Sequence, residues 1–427
     1  MVTYYLVIIA MPYFNHAIWN AQFGPALTVT KLAGAVCLIY SILHLARRHG
    51  IPKFLASPQS KWMIVFFGIA TFSFISNEAS AAGDIIVNPI YTYWSTLIFF
   101  FITMIIIDSV KRLYWSCLVA LGSVAFASLY VLREWQQALV IYGGGFRPGW
   151  VVGDANYFTV AALAVLPLGF ELLLATPNKL HKLYCLGCMA LIFLAITLGA
   201  SRGGFLGVAI DAIYLISRSR QPLKNAVRIG IFVLPLLLLL PSSPLRRFMN
   251  PERGDTESVT QHLAGWHAGL VMIQKHPFAG VGIGNYKPTV IHYNSIGLAH
   301  ADPHIAHNGF LEVAAEMGLP AFAVYLIFFG SAVYSTRKTE KLALARGEPM
   351  LAAIALGMQA AVLGSCVAIF FVSGEYTKLL WLILCLTMAM PALVPARAAA
   401  KQLPLDVQPE PEPEPAFKVG EALVEMR

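Results

Sequence analysis

Residues 182–217 read "KLYCLGCMALIFLAITLGASRGGFLGVAIDAIYLIS", and this stretch decides the fold class. It contains two apolar runs, 182–200 and 203–217, with Arg202 in the short gap between them. About 20 apolar residues in a helix cross the roughly 30 Å hydrocarbon core of a bilayer, and the second run is short by that measure. The whole chain is 58% hydrophobic and only 12% charged, about half the charged fraction of a soluble protein. The sequence therefore predicts an integral membrane protein.

Apolar runs recur along the chain, and they do not follow the alternating ten-residue pattern of an outer-membrane barrel. We predict an all-α integral membrane fold with about twelve transmembrane helices and one large outer loop, containing amphipathic helices, between spans 9 and 10. The run 308–335 is too long for one straight span, and "GLP" at 318–320 predicts a break in it. The predicted spans are 4–20, 27–45, 62–77, 86–107, 113–132, 155–175, 182–200, 203–217, 226–242, 308–335, 348–371 and 376–396.

The net charge of +8 follows from membrane topology. If the amino terminus is cytoplasmic, twenty of the 30 Lys and Arg residues fall in inner segments, such as "ARRHGIPKF" and "SRSRQPLKNAVR". This is the bias that the positive-inside rule describes. The basic balance therefore does not indicate a nucleic-acid partner.

The predicted organisation has four parts. Residues 1–242 hold spans 1–9, 243–307 form the large outer loop, 308–396 hold spans 10–12, and 397–427 form a disordered cytoplasmic tail containing "PEPEPEPAF". The first apolar run lacks a basic start and a small-residue cleavage site, so we expect it to be the first span and not a cleaved leader. All six cysteines fall in predicted spans, which predicts packing thiols without disulfides, "CLGC" at 185–188 included.

Two motifs stand out in the large loop. "SVTQHLAGWHAGLVMIQKHP" at 258–277 has apolar residues at helical spacing, with Ser258 as a possible N-cap and Pro277 as a stop. It predicts a helix that either lies on the membrane surface or packs against the protein. "AGVGIGNY" at 279–286 has no strand–helix unit around it, so we interpret it as a tight turn and not as a dinucleotide site.

Outer arginines near the membrane indicate a site that binds an anion. Arg147 in "GGGFRPGW" and Arg202 in "GASRGGF" lie at membrane-proximal turns, where an unpaired cation is expensive. Each could pair with an internal carboxylate or a lipid headgroup. A diphosphate is the functional alternative, since the guanidinium fork binds phosphate oxygens bidentately. Asp154 and Asn156, in "VVGDANYF", begin the sixth span, where Asp154 could cap the helix.

"HADPHIAHNGFLEVAAEMGLP" at 300–320 concentrates polar residues ahead of an apolar run. His300, His304 and His307 with Asp302 resemble metal ligands, but Pro303 interrupts the helix that would align them. We therefore predict no metal site.

His307 is better placed for proton transfer. It directly precedes Asn308 and a helix start, and Glu312 stands one turn beyond. A histidine with a pKa near 6.5 can accept a hydroxyl proton as a bond forms. The alternative is that His307 only caps the helix or bonds a neighbour.

Three motifs together resemble the O-antigen ligase and polymerase superfamily: "SRGGFLG", then "W…KHPFAGVGIGNY", then "HNGFLEVAAEMGLPAF", over about 200–335. The resemblance, strongest to the O-antigen ligases of Gram-negative bacteria, implies a multi-pass inner-membrane glycosyltransferase that uses a polyprenyl-diphosphate-linked glycan. It also implies that His307 is catalytic and that Arg202, and by a looser match Arg147, contact the diphosphate.

One position departs from that pattern. Members of the superfamily often have an arginine ahead of the loop tryptophan, whereas this chain reads "SVTQHLAGW" with His262 there. Either His262 makes the anion contact, or Arg246, Arg247 or Arg253 does. Further candidate site residues are Asp154, Asn156, His304, Asn308, Glu312 and Arg246.

The resemblance implies transfer of a preassembled glycan from undecaprenyl diphosphate to the lipid A-core, at the periplasmic face of the inner membrane. The sequence has no Asp-x-Asp motif, so we expect a reaction without a metal or cofactor. Direct displacement of the diphosphate predicts inversion at the anomeric carbon. The expected partners are donor, acceptor and membrane lipids. An O-antigen polymerase and a protein O-oligosaccharyltransferase share the donor and stay open as alternatives. A transporter of the lipid-linked glycan is disfavoured, because the predicted spans contain little charge and no repeat is visible.

Overall fold

The protein is described by a computed structural model that covers residues 1–13, 29–47, 54–55, 57–76, 89–142, 148, 155–239, 253–293 and 305–394. Within these ranges all regular structure is helical, as the sequence predicts. The α-helices are α1 (Val2–Ala10), α2 (Val29–Arg47), α3 (Pro58–Ser76), α4 (Ile90–Ile106), α5 (Val110–Tyr142), α6 (Ala155–Leu163), α7 (Leu166–Ala175), α8 (Lys179–Gly199), α9 (Arg202–Arg218), α10 (Pro222–Leu239), α11 (Arg253–Lys275), α12 (Tyr286–Tyr293), α13 (Gly309–Ala345), α14 (Pro349–Ile369) and α15 (Lys378–Ala389).

Five helical segments of the described chain are long and apolar enough to cross a membrane. They are α5, α6 together with α7, α8, α13 and α14, while Ile90–Ile106 and Lys378–Leu393 are apolar but shorter. This pattern fits a multi-pass helical membrane protein. The number of twelve spans, their orientation and the boundaries at 242, 307 and 396 stay predictions, and the tail 397–427 lies outside the described residues.

Helix α14 lies at the centre of the bundle, where α7, α9 and α13 pack against it. Glycines on the facing surfaces let the backbones approach closely. A Cβ on Gly357 would lie 2.9 Å from Leu168 Cα, and a Cβ on Gly207 would lie 2.9 Å from the carbonyl oxygen of Gly364. The small residues in these apolar helices therefore set the spacing of the bundle.

Two predicted spans have different bounds from those expected. Helix α5 is 33 residues long, or about 50 Å, so it continues well past the predicted end at 132. Val140 and Ile141 in its last turns are exposed. Apolar periodicity alone does not show whether such residues continue the helix or belong to an outer segment. The predicted span 155–175 is interrupted after Leu163, because Pro167 in the first turn of α7 cannot continue the hydrogen bonds of α6.

The predicted break at "GLP" is confirmed. Gly318 has φ 82° and ψ 171° inside α13, with Pro320 just beyond. The helix in the large loop also forms, but Ser258 is not its N-cap, because α11 already begins at Arg253.

The helices bury more charge than the sequence analysis expects. Glu171, Asp211 and Glu340 are all buried within helices. Arg218 bonds both carboxylate oxygens of Glu340 at 3.1 Å, and the Gln359 amide donates to the same carboxylate at 3.0 Å. The cysteines behave as predicted: all six are free, and Cys185 and Cys188 are buried in α8.

Candidate functional site

The start of α13 presents His307 in an unusual backbone conformation. Asn308 is the N-cap, and its Oδ1 accepts from the N–H groups of Phe310 and Leu311, both at 3.1 Å. His307 stands just before the cap with φ 51°, in the left-handed region that a non-glycine residue adopts at a cost of about 1 kcal/mol or more. Asn308 therefore supplies the capping that His307 could have supplied.

His262, on α11, meets His307 face to face. The two ring centroids are 4.6 Å apart and the planes differ by 15°. The residues are far apart in sequence, and their contact brings the large loop onto the start of α13. The sequence analysis names both residues as candidates but does not foresee that they stack.

Arg202 lies in the same locality. Burial, then the charge of His307 and then that of Arg202, lower the pKa of His262 from 6.5 to about 4. At neutral pH the His262 ring is therefore uncharged. It can donate one hydrogen bond to an anion, but it does not replace the positive charge of an arginine unless an anion raises its pKa again.

Asn156 and Ser201 fix the backbone that carries Arg202. Ser201 is the N-cap of α9 and accepts from the N–H of Gly204 at 3.2 Å, while its hydroxyl donates to Asn156 Oδ1 at 2.7 Å. A Cβ on Gly204 would overlap the side chain of Thr159, so the starts of α6 and α9 pack closely. Two helix amino termini thus lie beside Arg202, and their N–H groups and dipoles favour an anion.

The break in α13 is the place where the large loop attaches. Because the helix is interrupted at Gly318, carbonyl oxygens in the preceding turn have no partner within the helix and can accept other hydrogen bonds. Val281 N–H donates to Ala315 O and Gly282 N–H to Glu316 O, both at 2.9 Å, and Leu319 N–H donates to Pro277 O at 2.8 Å. The "AGVGIGNY" motif is the predicted tight turn, and its function is to hold the loop on α13.

Tyr286 connects α13 to α11 through two hydrogen bonds. Its backbone N–H donates to Glu316 Oε1 at 3.0 Å, and its hydroxyl donates to the carbonyl oxygen of Gly265. Gly265 is three residues beyond His262, so the same tyrosine joins α13 to the turn of α11 that carries His262. The His262–His307 stack therefore rests on backbone pairing at the helix break.

The connector between α14 and α15, residues 370–377, also contributes to the site and was not predicted from the sequence. The Ser373 hydroxyl donates to the Glu312 carboxylate, Tyr376 donates to Glu316 Oε2 at 3.0 Å, and Phe370 packs its ring 5.7 Å from that of Trp266. The available signal was "SGEYT", a polar stretch between two apolar helices. Of the predicted residues, Glu312 is buried behind the helix start and does not lie at an open surface.

Several predicted residues lie outside the described part of the chain: Arg147, Asp154, Arg246, Arg247, His300, Asp302 and His304. Arg253 is described only as the first residue of α11. Pro148, next to Arg147, is described, and its carbonyl oxygen would be 3.8 Å from a Cβ on Gly199, close to the start of α9. Among the described residues, no group of three or more His, Cys, Asp or Glu side chains is arranged to hold a metal ion.

The depressed pKa of His262 predicts a pH dependence of stability. The unfolded chain protonates this ring near pH 6.5, whereas the folded protein does so near pH 4. The unfolded state therefore binds more protons between these values, and stability falls as the pH falls from 6.5 to 4. We expect the unfolding temperature of the His262→Gln variant to fall less over this range than that of the wild type. A His262 pKa near 6.5, measured by histidine C2 hydrogen exchange with mass spectrometry, would contradict this prediction.

Comparison with known proteins agrees with the sequence resemblance. A family model described as O-antigen ligase matches residues 187–326, about a third of the chain. The matched region begins in α8 and ends in α13 beyond the Gly318 break. No curated protein matches the chain. Residues 187–326, the region that contains Arg202, His262 and His307, are therefore similar to the O-antigen ligase family.

Proposed function

We propose that this protein is an O-antigen ligase, which transfers a preassembled glycan from undecaprenyl diphosphate to a sugar hydroxyl of the lipid A-core. The observation that carries the proposal is the stack of His262 on His307 beside Arg202, within the region that matches the O-antigen ligase model. A base and a permanent cation in one locality are what this reaction requires.

In the proposed reaction, the acceptor oxygen attacks the anomeric carbon of the donor. The new C–O bond forms as the bond to the phosphate oxygen breaks, and the configuration at the anomeric carbon inverts. The hydroxyl proton passes to the His307 imidazole, and the bonding electrons leave with the diphosphate. Arg202 and the amino terminus of α9 stabilise the charge that develops on the leaving group. Arg147 is proposed as the second arginine at the diphosphate.

His262 has a distinct role in this scheme. Because it is neutral in the free site, it can stack on the His307 imidazolium that forms during the reaction without adding a second positive charge. Its remaining N–H can donate to a phosphate oxygen.

The proposed location is the bacterial inner membrane, with the site facing the periplasm. The distribution of lysine and arginine between the two sides supports this orientation. The polyprenyl tail would lie among the apolar helices, and no nucleic acid or cofactor is involved.

A reconstituted transfer assay tests the proposal. Purified protein in lipid vesicles is given the undecaprenyl-diphosphate-linked glycan and, separately, a lipid A-core acceptor, a second lipid-linked glycan or a serine-containing peptide, each with and without EDTA. Glycan attached to the core lipid, with EDTA present, is the expected result. Longer lipid-linked chains would indicate a polymerase and glycopeptide a protein transferase. Movement of the donor across the bilayer without any new glycosidic bond would indicate a transporter.

Replacing Arg202 by lysine tests the diphosphate contact. Lysine keeps the charge but lacks the planar fork that binds two phosphate oxygens, so we expect kcat/KM for the lipid-linked donor to fall about 10- to 100-fold, roughly 1.4 to 2.7 kcal/mol. The matched control is Arg218→Lys, at the other end of the same helix, where the arginine bonds Glu340. Equal losses in both variants would show that Arg202 acts only on the stability of α9.

A further inference from the structure

The backbone at His307 needs outside support. Its φ of 51° is unfavourable for a side chain with a Cβ, and the residue lies before the first hydrogen-bonded turn of α13. A strained conformation persists only when the surrounding contacts fix it. The groups that hold residues 305–309 should therefore control where the imidazole points.

The connector 370–377 supplies those contacts. Gly309 N–H donates to Val372 O at 3.1 Å, and Ser373 donates to the carboxylate of Glu312. The same carboxylate also accepts from the backbone N–H of Ala306, the residue before His307. Glu312 thus joins the connector to the chain on the amino-terminal side of His307, while Val372 holds the chain on the other side.

Glu375 packs against the same turn at Gly309. A Cβ on Gly309 would overlap Glu375 Oε2 and lie 3.4 Å from its Cδ, so the carboxyl group rests directly against the backbone of residue 309. Glu375 is fully buried, and neither carboxyl oxygen has a hydrogen-bond partner among the described residues. Trp381 Nε1 donates to its carbonyl oxygen at 2.7 Å. Burial, followed by the charge of Glu312, raises the pKa of Glu375 well above its usual range.

We propose that Glu312, with Ser373 and Glu375 of the connector, forms a latch that positions the His307 imidazole. Glu312 is the central positioning residue, because it contacts both the connector and the residue before His307. The proposal rests on the proposed function for the role of His307, but the latch itself is a matter of geometry. It assigns a part in the site to the connector 370–377, which lies beyond the region matched by the family model.

The latch predicts a loss in turnover without a loss in substrate affinity. We expect Glu312→Ala to lower kcat at least tenfold, because small displacements of a catalytic group have large effects on rate, while KM for the donor changes less than about twofold. Glu312→Gln, which keeps an acceptor oxygen, should restore most of kcat. Ser373→Ala removes only the connector contact and should give an intermediate loss, and it serves if Glu312→Ala folds poorly.

A second readout does not depend on catalysis. Burial is the largest cause of the low pKa of His262, and His307 adds to it through the ring stack. Freeing the His307 turn should therefore raise the pKa of His262 above its value of about 4 in Glu312→Ala and in Ser373→Ala. Histidine C2 exchange measures this shift in protein of any activity. The control is Glu340→Gln, a buried carboxylate 28 residues further along α13, which should leave the pKa of His262 unchanged.

The outcomes are separable. A raised His262 pKa with lowered kcat in the two latch variants, and neither in Glu340→Gln, supports the latch. An unchanged His262 pKa and kcat in folded Glu312→Ala, or the same changes in Glu340→Gln, overturns it. If the wild type forms no glycosidic bond, the proposed function fails, and the pKa measurement still decides whether the latch exists.

Discussion

Replacing His307 by asparagine should lower the rate of glycan transfer by about 10²- to 10⁴-fold, the usual contribution of a positioned general base. Asparagine is the informative choice because it tolerates a left-handed backbone better than most residues, and the native φ is 51°. The variant should therefore fold, while its amide cannot take the acceptor proton. Single-turnover transfer from the lipid-linked donor, at equal amounts of monodisperse protein, measures the effect on the chemical step.

The matched control is His276→Asn in the same loop. His276 is exposed, and its Nε2 lies 3.0 Å from the hydroxyl of Tyr293, so its loss should leave the transfer rate within about twofold. If the His307 variant instead transfers glycan at the wild-type rate, the proton must go elsewhere and the mechanism proposed for this site is wrong.

The largest effect on folding is expected from Gly280→Ala. Gly280 has φ 68°, and an added Cβ would overlap the carbonyl group of Glu316 and lie 2.5 Å from Met317 N. These are backbone atoms, which cannot rotate away as a side chain can. We expect roughly 4 kcal/mol or more of destabilisation, in the range reserved for severe steric conflict, and a large fall in the yield of monodisperse protein.

The control variant Gly347→Ala separates the cost of steric overlap from the cost of a left-handed backbone conformation. Gly347 has a similar φ of 73°, but a Cβ there would meet nothing within 4 Å, so only the left-handed strain of about 1 kcal/mol applies. The unfolding temperature of each variant in detergent, followed by intrinsic fluorescence, gives the comparison. Equal decreases would show that the turn around Gly280 has room to move away from α13.

The most predictable features are those that depend on neighbours in sequence. The apolar spans of α8 and α14, the helix start at Asn308 and the break at Gly318 all follow from local rules of hydrophobicity, capping and glycine conformation. The same rules failed at α5 and at the interruption after Leu163. Membrane spans are recognised by apolar length, and this measure does not report where a helix continues into water or where one proline divides it.

The candidate site was predictable in its parts but not in its assembly. Arg202 and His307 stand out because polar residues are rare in such a chain, and His262 was named through the resemblance to the superfamily. Their approach depends on the pairing of Val281 and Gly282 with α13, a long-range backbone contact that leaves no periodic pattern in the sequence. Ser373 and Glu375 were missed for a related reason: a short polar connector between apolar helices has the composition of an ordinary turn.

The break at Gly318 has an evolutionary consequence. The outer loop is fastened to α13 in part through main-chain hydrogen bonds, in which the N–H groups of Val281, Gly282 and Leu319 donate to carbonyl oxygens, and main-chain groups are the same whatever the side chains. Substitutions at loop positions that contact neither α13 nor α11 should then leave His262 beside His307, provided that Tyr286 and the glycines of the turn are kept. Such an attachment would let related proteins diversify the surface that selects an acceptor while one reaction centre is inherited unchanged.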